Sequence, residues 1–113
     1  MIARTWHGRV PRAKADAYAE YLEATGLADY RATPGNRGTW LLRHDEGEVT
    51  HFTTLTFWDS LASIVAFAGE DYERARYYPE DDAYLLEREP GVRHFDVVSG
   101  AGDPVRAPGH TGR

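Results

Sequence analysis

The chain has 113 residues and 12.7 kDa, carries a net charge of −5, is 42% hydrophobic and 12% aromatic, and contains no cysteine. That length predicts a single domain, and the apolar share excludes wholesale disorder. The missing thiols exclude a disulfide scaffold, a thiolate zinc site and a cysteine nucleophile. Net acidity argues against a nucleic-acid partner, which calls for a basic face. No apolar run approaches the roughly 20 residues of a membrane span, and the Met1-Ile2-Ala3-Arg4 start lacks a signal peptide's apolar stretch, so a cytoplasmic protein with no membrane partner is expected.

Ile2 to Val10 is rich in β-favouring residues and reads as a first strand, stopped at Pro11, which suits the first turn of a helix. Tyr18, Tyr21, Leu22 and Thr25 recur at three- and four-residue steps, and Gly26 ends that helix. The turn formers of Thr33-Pro34-Gly35-Asn36-Arg37-Gly38 make a loop. Thr39–His44 and Val49–Trp58, joined through Asp45-Glu46-Gly47, form a β-hairpin. Asp59 or Ser60 caps a second helix, whose Leu61, Ile64, Val65 and Ala68 make a narrow apolar stripe that Gly69 breaks. Asp71–Tyr78 is predicted as a short helix halted by Pro79. Asp82–Glu89 is ambiguous between helix and loop, and Val92–Val98 is the last strand. Ser99–Arg113, with four glycines and two prolines, reads as a tail to a domain of residues 1–98.

The predicted order is β-α-β-β-α-β, an α+β ferredoxin-like protomer with an antiparallel sheet in the order 4-1-3-2 and both helices on one face. Bulky residues occupy both parities of the strands. Trp6, Trp40, Leu42, Phe52, Trp58, Phe95 and Val97 are assigned to one parity, while Leu41, Val49, Leu55, Phe57, Val92 and Val98 are assigned to the other. One helix layer covers one face only, so a partner chain is expected on the other, which makes a homodimer. The segment Glu70–Glu89 contains eight acids and three arginines and accounts for the whole net charge. It reads as a solvated face, since Glu80, Asp81 and Asp82 lack the glycine-bearing spacing of a calcium loop.

The stretches Ile2-Ala3-Arg4-Thr5-Trp6, Thr33–Gly38, Phe57-Trp58-Asp59-Ser60-Leu61, Ala66-Phe67-Ala68-Gly69 and Ala75-Arg76-Tyr77-Tyr78-Pro79-Glu80-Asp81 resemble the antibiotic biosynthesis monooxygenase-like family. The resemblance covers roughly residues 2–98 and implies a dimeric α+β barrel. It is specific for fold and poorly specific for reaction, because that superfamily spans cofactor-independent monooxygenases, haem-degrading enzymes, cyclases and proteins without assigned activity. The haem-degrading branch places an Asn on the first strand, a Trp on the second helix and a His ten residues later. An ungapped placement puts His7, Phe67 and Tyr77 there, which argues against haem oxygenation of that kind, although tyrosine can ligate haem iron.

The residues themselves offer a proton-handling set. His7, His51 and His94 are predicted at one end of the sheet on neighbouring strands, and two sharing a face would form a pair near neutral pH. His44 and His110 read as surface residues. Tyr18, Tyr21, Phe67, Tyr72 and Tyr77 suit the wall of an apolar pocket, with Thr5 and His94 against its sheet side. Arg76 could hold a phenolate or carboxylate, against the plainer expectation of an ion pair with Glu73 or the acids at 80–82. The expected function is a cofactor-independent monooxygenase acting on an aromatic or polyketide-like molecule. His7 or His51 serves as base, Tyr77 and Arg76 hold the anion, and O2 is the co-substrate. The alternatives are a proton-transfer cyclase or isomerase, or a dimer that binds a small hydrophobic ligand without turnover. No metal is called for, and His7 is expected to line the main pocket.

Overall fold

The computed structural model describes residues 1–102. Four antiparallel strands, β1 (Ile2–Pro11), β2 (Asn36–Glu46), β3 (Val49–Trp58) and β4 (Arg93–Asp96), form one sheet in the order β2-β3-β1-β4. That is the expected 4-1-3-2 arrangement read from the other edge. The helices α1 (Ala15–Ala24), α2 (Gly26–Ala32) and α3 (Leu61–Ala68) supply the residues packed on one face of it. No helix among the described residues is long and apolar enough to cross a membrane.

The pleat sorts β1 cleanly. Arg4, Trp6, Gly8 and Val10 point into the core, and Thr5, His7 and Arg9 point away from it. Antiparallel pairing of Trp6 with Thr54, Gly8 with Phe52 and Ile2 with Trp58 extends the inner face onto β3. There Phe52 and Trp58 are buried against Val10, Tyr18, Leu22, Leu27, Tyr30, Ile64 and Phe67. Gly8 is required by close approach: a Cβ there would lie 2.5 Å from the Trp6 ring and 2.9 Å from Leu85, so the indole lies flat along the strand.

Four expectations about elements are corrected. The first helix does stop near Gly26, where Thr25 leaves helical geometry and its hydroxyl donates to the Tyr21 carbonyl at 2.7 Å. The chain then re-enters a helix at once, because Leu27 and Tyr30, three residues apart, must both be buried. β2 begins at Asn36, inside the expected loop, with a bulge between Asn36 and Gly38. There the Asn36 side-chain oxygen accepts from Gly38 N–H at 3.2 Å and the Thr39 hydroxyl at 3.0 Å. No helix forms over Asp71–Tyr78. Its backbone pairs sideways instead, Ala75 N–H donating to Pro90 O and Val92 N–H to Glu73 O, so that Tyr72, Ala75 and Tyr77 reach the core as an extended segment does. Finally, β4 pairs only over Arg93–Asp96, and the Asp82–Glu89 stretch is a 3-10 turn over Asp81–Ala83 followed by irregular chain.

The acidic segment is not all solvated face. Asp81 is 2% exposed. It accepts from the Tyr18 hydroxyl at 2.9 Å and from Tyr78 N–H at 2.5 Å, while Asp82 pairs with Arg88 at the surface. Asp81 thus staples the 70–92 segment to α1. Asp81→Ala strands the buried Tyr18 hydroxyl and is expected to cost about 1–3 kcal/mol, with Asp81→Asn milder because its amide oxygen still accepts. Urea melts of the two variants check this, and an alanine variant as stable as the parent contradicts it.

Candidate functional site

Under the helices lies a small cavity of about 20 Å³, lined by Arg4, Trp6, Tyr18, Leu22, Gly26, Leu27, Tyr30, Thr54, Phe67, Arg76, Tyr77, Tyr78, Asp81 and Val92. That volume holds one water. Six of its walls are aromatic, and burial, the largest influence on each, pushes the Tyr18, Tyr77 and Tyr78 phenols up from their ordinary value. These hydroxyls therefore stay protonated and act as hydrogen-bond donors. Tyr77 donates to the Glu89 carbonyl at 2.5 Å, and Tyr78 to Asp29.

Arg76 and Phe67 form the outer wall. The Arg76 guanidinium donates to the Phe67 carbonyl at 3.0 Å, lies 5.0 Å over the Phe67 ring and sits 3.5 Å from Asp29. Its partner is thus Asp29, not Glu73 or the acids at 80–82. Outside this wall, Asp29, Ala32, Thr33, Pro34, Ala66, Phe67 and Arg76 surround an open depression of about 300 Å³. The two spaces share only Phe67 and Arg76.

The histidines divide between the faces. His7 does not line this cavity. It points away from the helices, where its Nδ1 lies 2.5 Å from Glu89 Oε2 and its Nε2 2.9 Å from His51 Nδ1. His51 Nε2 in turn lies 2.9 Å from Glu46 Oε1, and His44 stands opposite His51 in the register with ring centroids 6.0 Å apart. His94 belongs to the other face: it pairs with Arg4 across β1 and β4 and packs edge-on against Tyr72 at 5.4 Å. Its position beside Arg4, rather than beside His7, comes from β4 starting its pairing at Thr5. Burial, then the neighbouring Arg4 charge, holds His94 below the usual histidine range.

Glu89–His7–His51–Glu46 is therefore one hydrogen-bonded chain on the helix-free face. It exists because Leu86 N–H bonds Arg9 O at 2.9 Å, which carries Glu87 to Arg9 and Glu89 to His7. Thr5 and His7 line a groove there with Glu89, Gly91, Val92 and Arg93. Among the described residues no group of three or more His, Asp or Glu is placed to hold a metal ion.

Of the residues singled out in the sequence, Tyr18, Phe67, Arg76 and Tyr77 come together at the cavity. Tyr21 stacks on Tyr18 at 6.2 Å, Tyr72 and His94 pack on each other without lining the cavity, and Thr5, His7 and His51 lie on the far side of the sheet. Sequence reasoning missed Arg4. The available signal was a lone cation in the inward parity Ile2, Arg4, Trp6, Gly8, Val10.

This is the fold of the antibiotic biosynthesis monooxygenase-like proteins. No family model matches the chain, and no curated protein matches it in sequence. Solved structures do. The haem-degrader MhuD of Mycobacterium tuberculosis, with two haems in its active site, is 21% identical with a TM-score of 0.61, over 90% of this chain and 100% of that one. A candidate antibiotic biosynthesis monooxygenase from Bacillus cereus is 10% identical with a TM-score of 0.62, over 93% and 98% of the two chains. A NIPSNAP domain protein from Burkholderia xenovorans is 16% identical with a TM-score of 0.58, over 91% and 100%.

Proposed function

We propose that the protein binds an electron-rich aromatic small molecule beneath α2 and α3 and oxygenates it as a cofactor-independent monooxygenase. The observation that carries this reading is the aromatic cavity bordered by an open depression across the Arg76–Phe67 contact. Turning that wall outward joins the two spaces and brings the volume to the low end of small-molecule sites, about 300 Å³. At the mouth the Arg76 guanidinium is placed to stabilise an oxyanion, and Tyr77 serves there only by giving up its bond to Glu89 O. The proton acceptor on the cavity side of the sheet is His94, which does not line the cavity but adjoins Arg4, a residue that does, and is kept neutral by burial and Arg4, in place of the expected His7 or His51. An anthrone-type CH2 that loses its proton there passes electrons to O2, giving the C=O product and one water, with all four electrons drawn from substrate.

Haem suits this cavity poorly. No histidine is among its lining residues, and the Tyr77 hydroxyl keeps its proton and spends it on Glu89 O, so no phenolate is offered to iron.

A second reading, ligand binding without turnover, is favoured by the engagement of the Tyr77 hydroxyl with Glu89 O and of Arg76 with Asp29. The two separate in one experiment: incubation with an anthrone, with and without O2, against a protein-free control. Oxygenase activity is expected to raise quinone formation at least tenfold over the control in air and to leave it unchanged without O2. Quenching of Trp6 or Trp58 fluorescence with no added product assigns binding alone.

We infer also that the helix-free face receives a second copy. Trp40 and Phe57 pack edge-to-face there at 5.4 Å, and Leu42 and Phe95 on the same face are each 48% exposed. A groove of about 590 Å³ beside them is lined by Met1, Trp40, Phe57, Val97 and residues 99–102. The tail expected over Ser99–Arg113 falls mostly on residues 103–113, outside the described ones.

A further inference from the structure

The inner cavity contains a charge with nothing to balance it. Arg4 is 2% exposed, yet its Nε and Nη2 have no hydrogen-bond partner among the described residues. No carboxylate there lies within ion-pair distance of it. Asp81, the acid that shares the cavity, spends its oxygens on the Tyr18 hydroxyl and Tyr78 N–H. Burial, the largest influence, pushes the Arg4 guanidinium down from its ordinary value; the Tyr30 hydroxyl beside it offsets this only in part and is itself 3.3 Å from Thr54 Oγ1. Next to Arg4 across the β1–β4 ladder, His94 Nε2 is also buried without a partner. Two adjacent strands therefore present three unsatisfied nitrogens at one place.

A guanidinium does not escape this cost by losing its proton, as a lysine does. An uncompensated buried charge is costly enough that a well-packed apolar residue usually replaces it without loss of stability. One water, all that a cavity of about 20 Å³ admits, offers one oxygen to a fork of donors and carries no charge. A carboxylate, by contrast, matches two guanidinium N–H groups in one plane. The surrounding Trp6, Tyr30 and Phe67 rings leave the rest of such a ligand an apolar, aromatic environment, with Arg4 itself 5.5 Å from the Phe67 ring centre.

We propose that Arg4 is the recognition residue for an aromatic carboxylic acid, which passes the Arg76–Phe67 wall and docks its carboxylate on Arg4 Nε and Nη2 beside His94. This rests on the small-molecule reading of the cavity and adds the ligand's charge to it. Arg4 is buried before the ligand arrives, so its desolvation is already borne by the fold and the binding step gains nearly the whole of the pairing.

The test uses 2-naphthoate and its neutral counterpart 2-naphthamide, titrated against the full chain by calorimetry near neutral pH. The parent protein is expected to bind the acid at least tenfold more tightly than the amide. Arg4→Met is expected to abolish that preference, keep binding of the amide, and melt no lower than the parent, since it removes an unpaired charge and keeps the volume. Arg4→Lys keeps charge without the fork and is expected to retain part of the preference, and it serves if the methionine variant does not fold. Equal affinity for the two probes overturns the proposal and leaves the small-molecule reading standing. Failure of both probes to bind overturns both. A preference that survives in Arg4→Met places the anion elsewhere and also overturns it.

Discussion

Trp58→Ala is expected to cost about 3–5 kcal/mol, the range for truncating a fully buried aromatic. Trp58 has no exposed surface, packs against Tyr30 and Phe67 at ring separations of 6.2 and 5.8 Å, and donates its indole N–H to Thr56 Oγ1 at 2.8 Å. Truncation therefore opens a void at the centre of the single core and leaves the buried Thr56 hydroxyl with only the Arg4 carbonyl, 3.2 Å away. Against a typical total stability of about 5–15 kcal/mol, most of the folded population is at stake. At roughly 4–8 °C per kcal/mol for a domain slightly smaller than this one, melting falls by 12 °C or more. Trp58→Phe keeps the ring and loses the hydrogen bond, and is expected to fall well short of that. A thermal melt of the three proteins decides it, and an alanine variant within about 1 kcal/mol of the parent would place the core elsewhere.

The second large effect is on association. Phe57→Asp puts a carboxylate in the middle of the helix-free face, next to Trp40 and opposite Ala3 in the register. If two sheets pack there, that carboxylate is buried without a partner, at a cost of several kcal/mol. Dimer affinity then falls about a hundredfold or more. The fold is expected to survive, because Phe57 points away from the buried cluster of Trp6, Phe52 and Trp58. Light scattering at micromolar concentration is expected to give twice 12.7 kDa for the parent and 12.7 kDa for the variant. A parent that already runs as a monomer removes the dimer.

Much of this was legible in sequence. Alternation in β1 and β3, the Gly47 turn, Ser60 as the cap of α3 and Gly69 at its end are local signals. Each is enforced within a few residues: Ser60 Oγ accepts from Ser63 N–H at 3.3 Å, and Gly69 adopts a φ of 88°. Strand order followed from the β-α-β-β-α-β succession of elements. The Asp71–Tyr78 segment was misread because its acids, Ala75 and Arg76 favour a helix locally, whereas its backbone partners, Pro90 and Val92, lie well over ten residues away.

What the sequence determined by itself is therefore the βαββαβ order and the apolar character of both sheet faces, since both depend on near neighbours and periodicity. The tertiary structure decided which chemistry meets which face. A strand alternates sides at every residue, so the register of β4 against β1 alone put His94 beside Arg4. The pairing of β3 with β1 put His51 beside His7 on the opposite side. A shift of one residue in either ladder would exchange those partners, and nothing in the spacing of the histidines specifies it. Arg4 is the sharpest case: as one letter in a strand it reads as surface charge, and only the packing of three helices over it leaves it buried, charged and unpaired among the described residues.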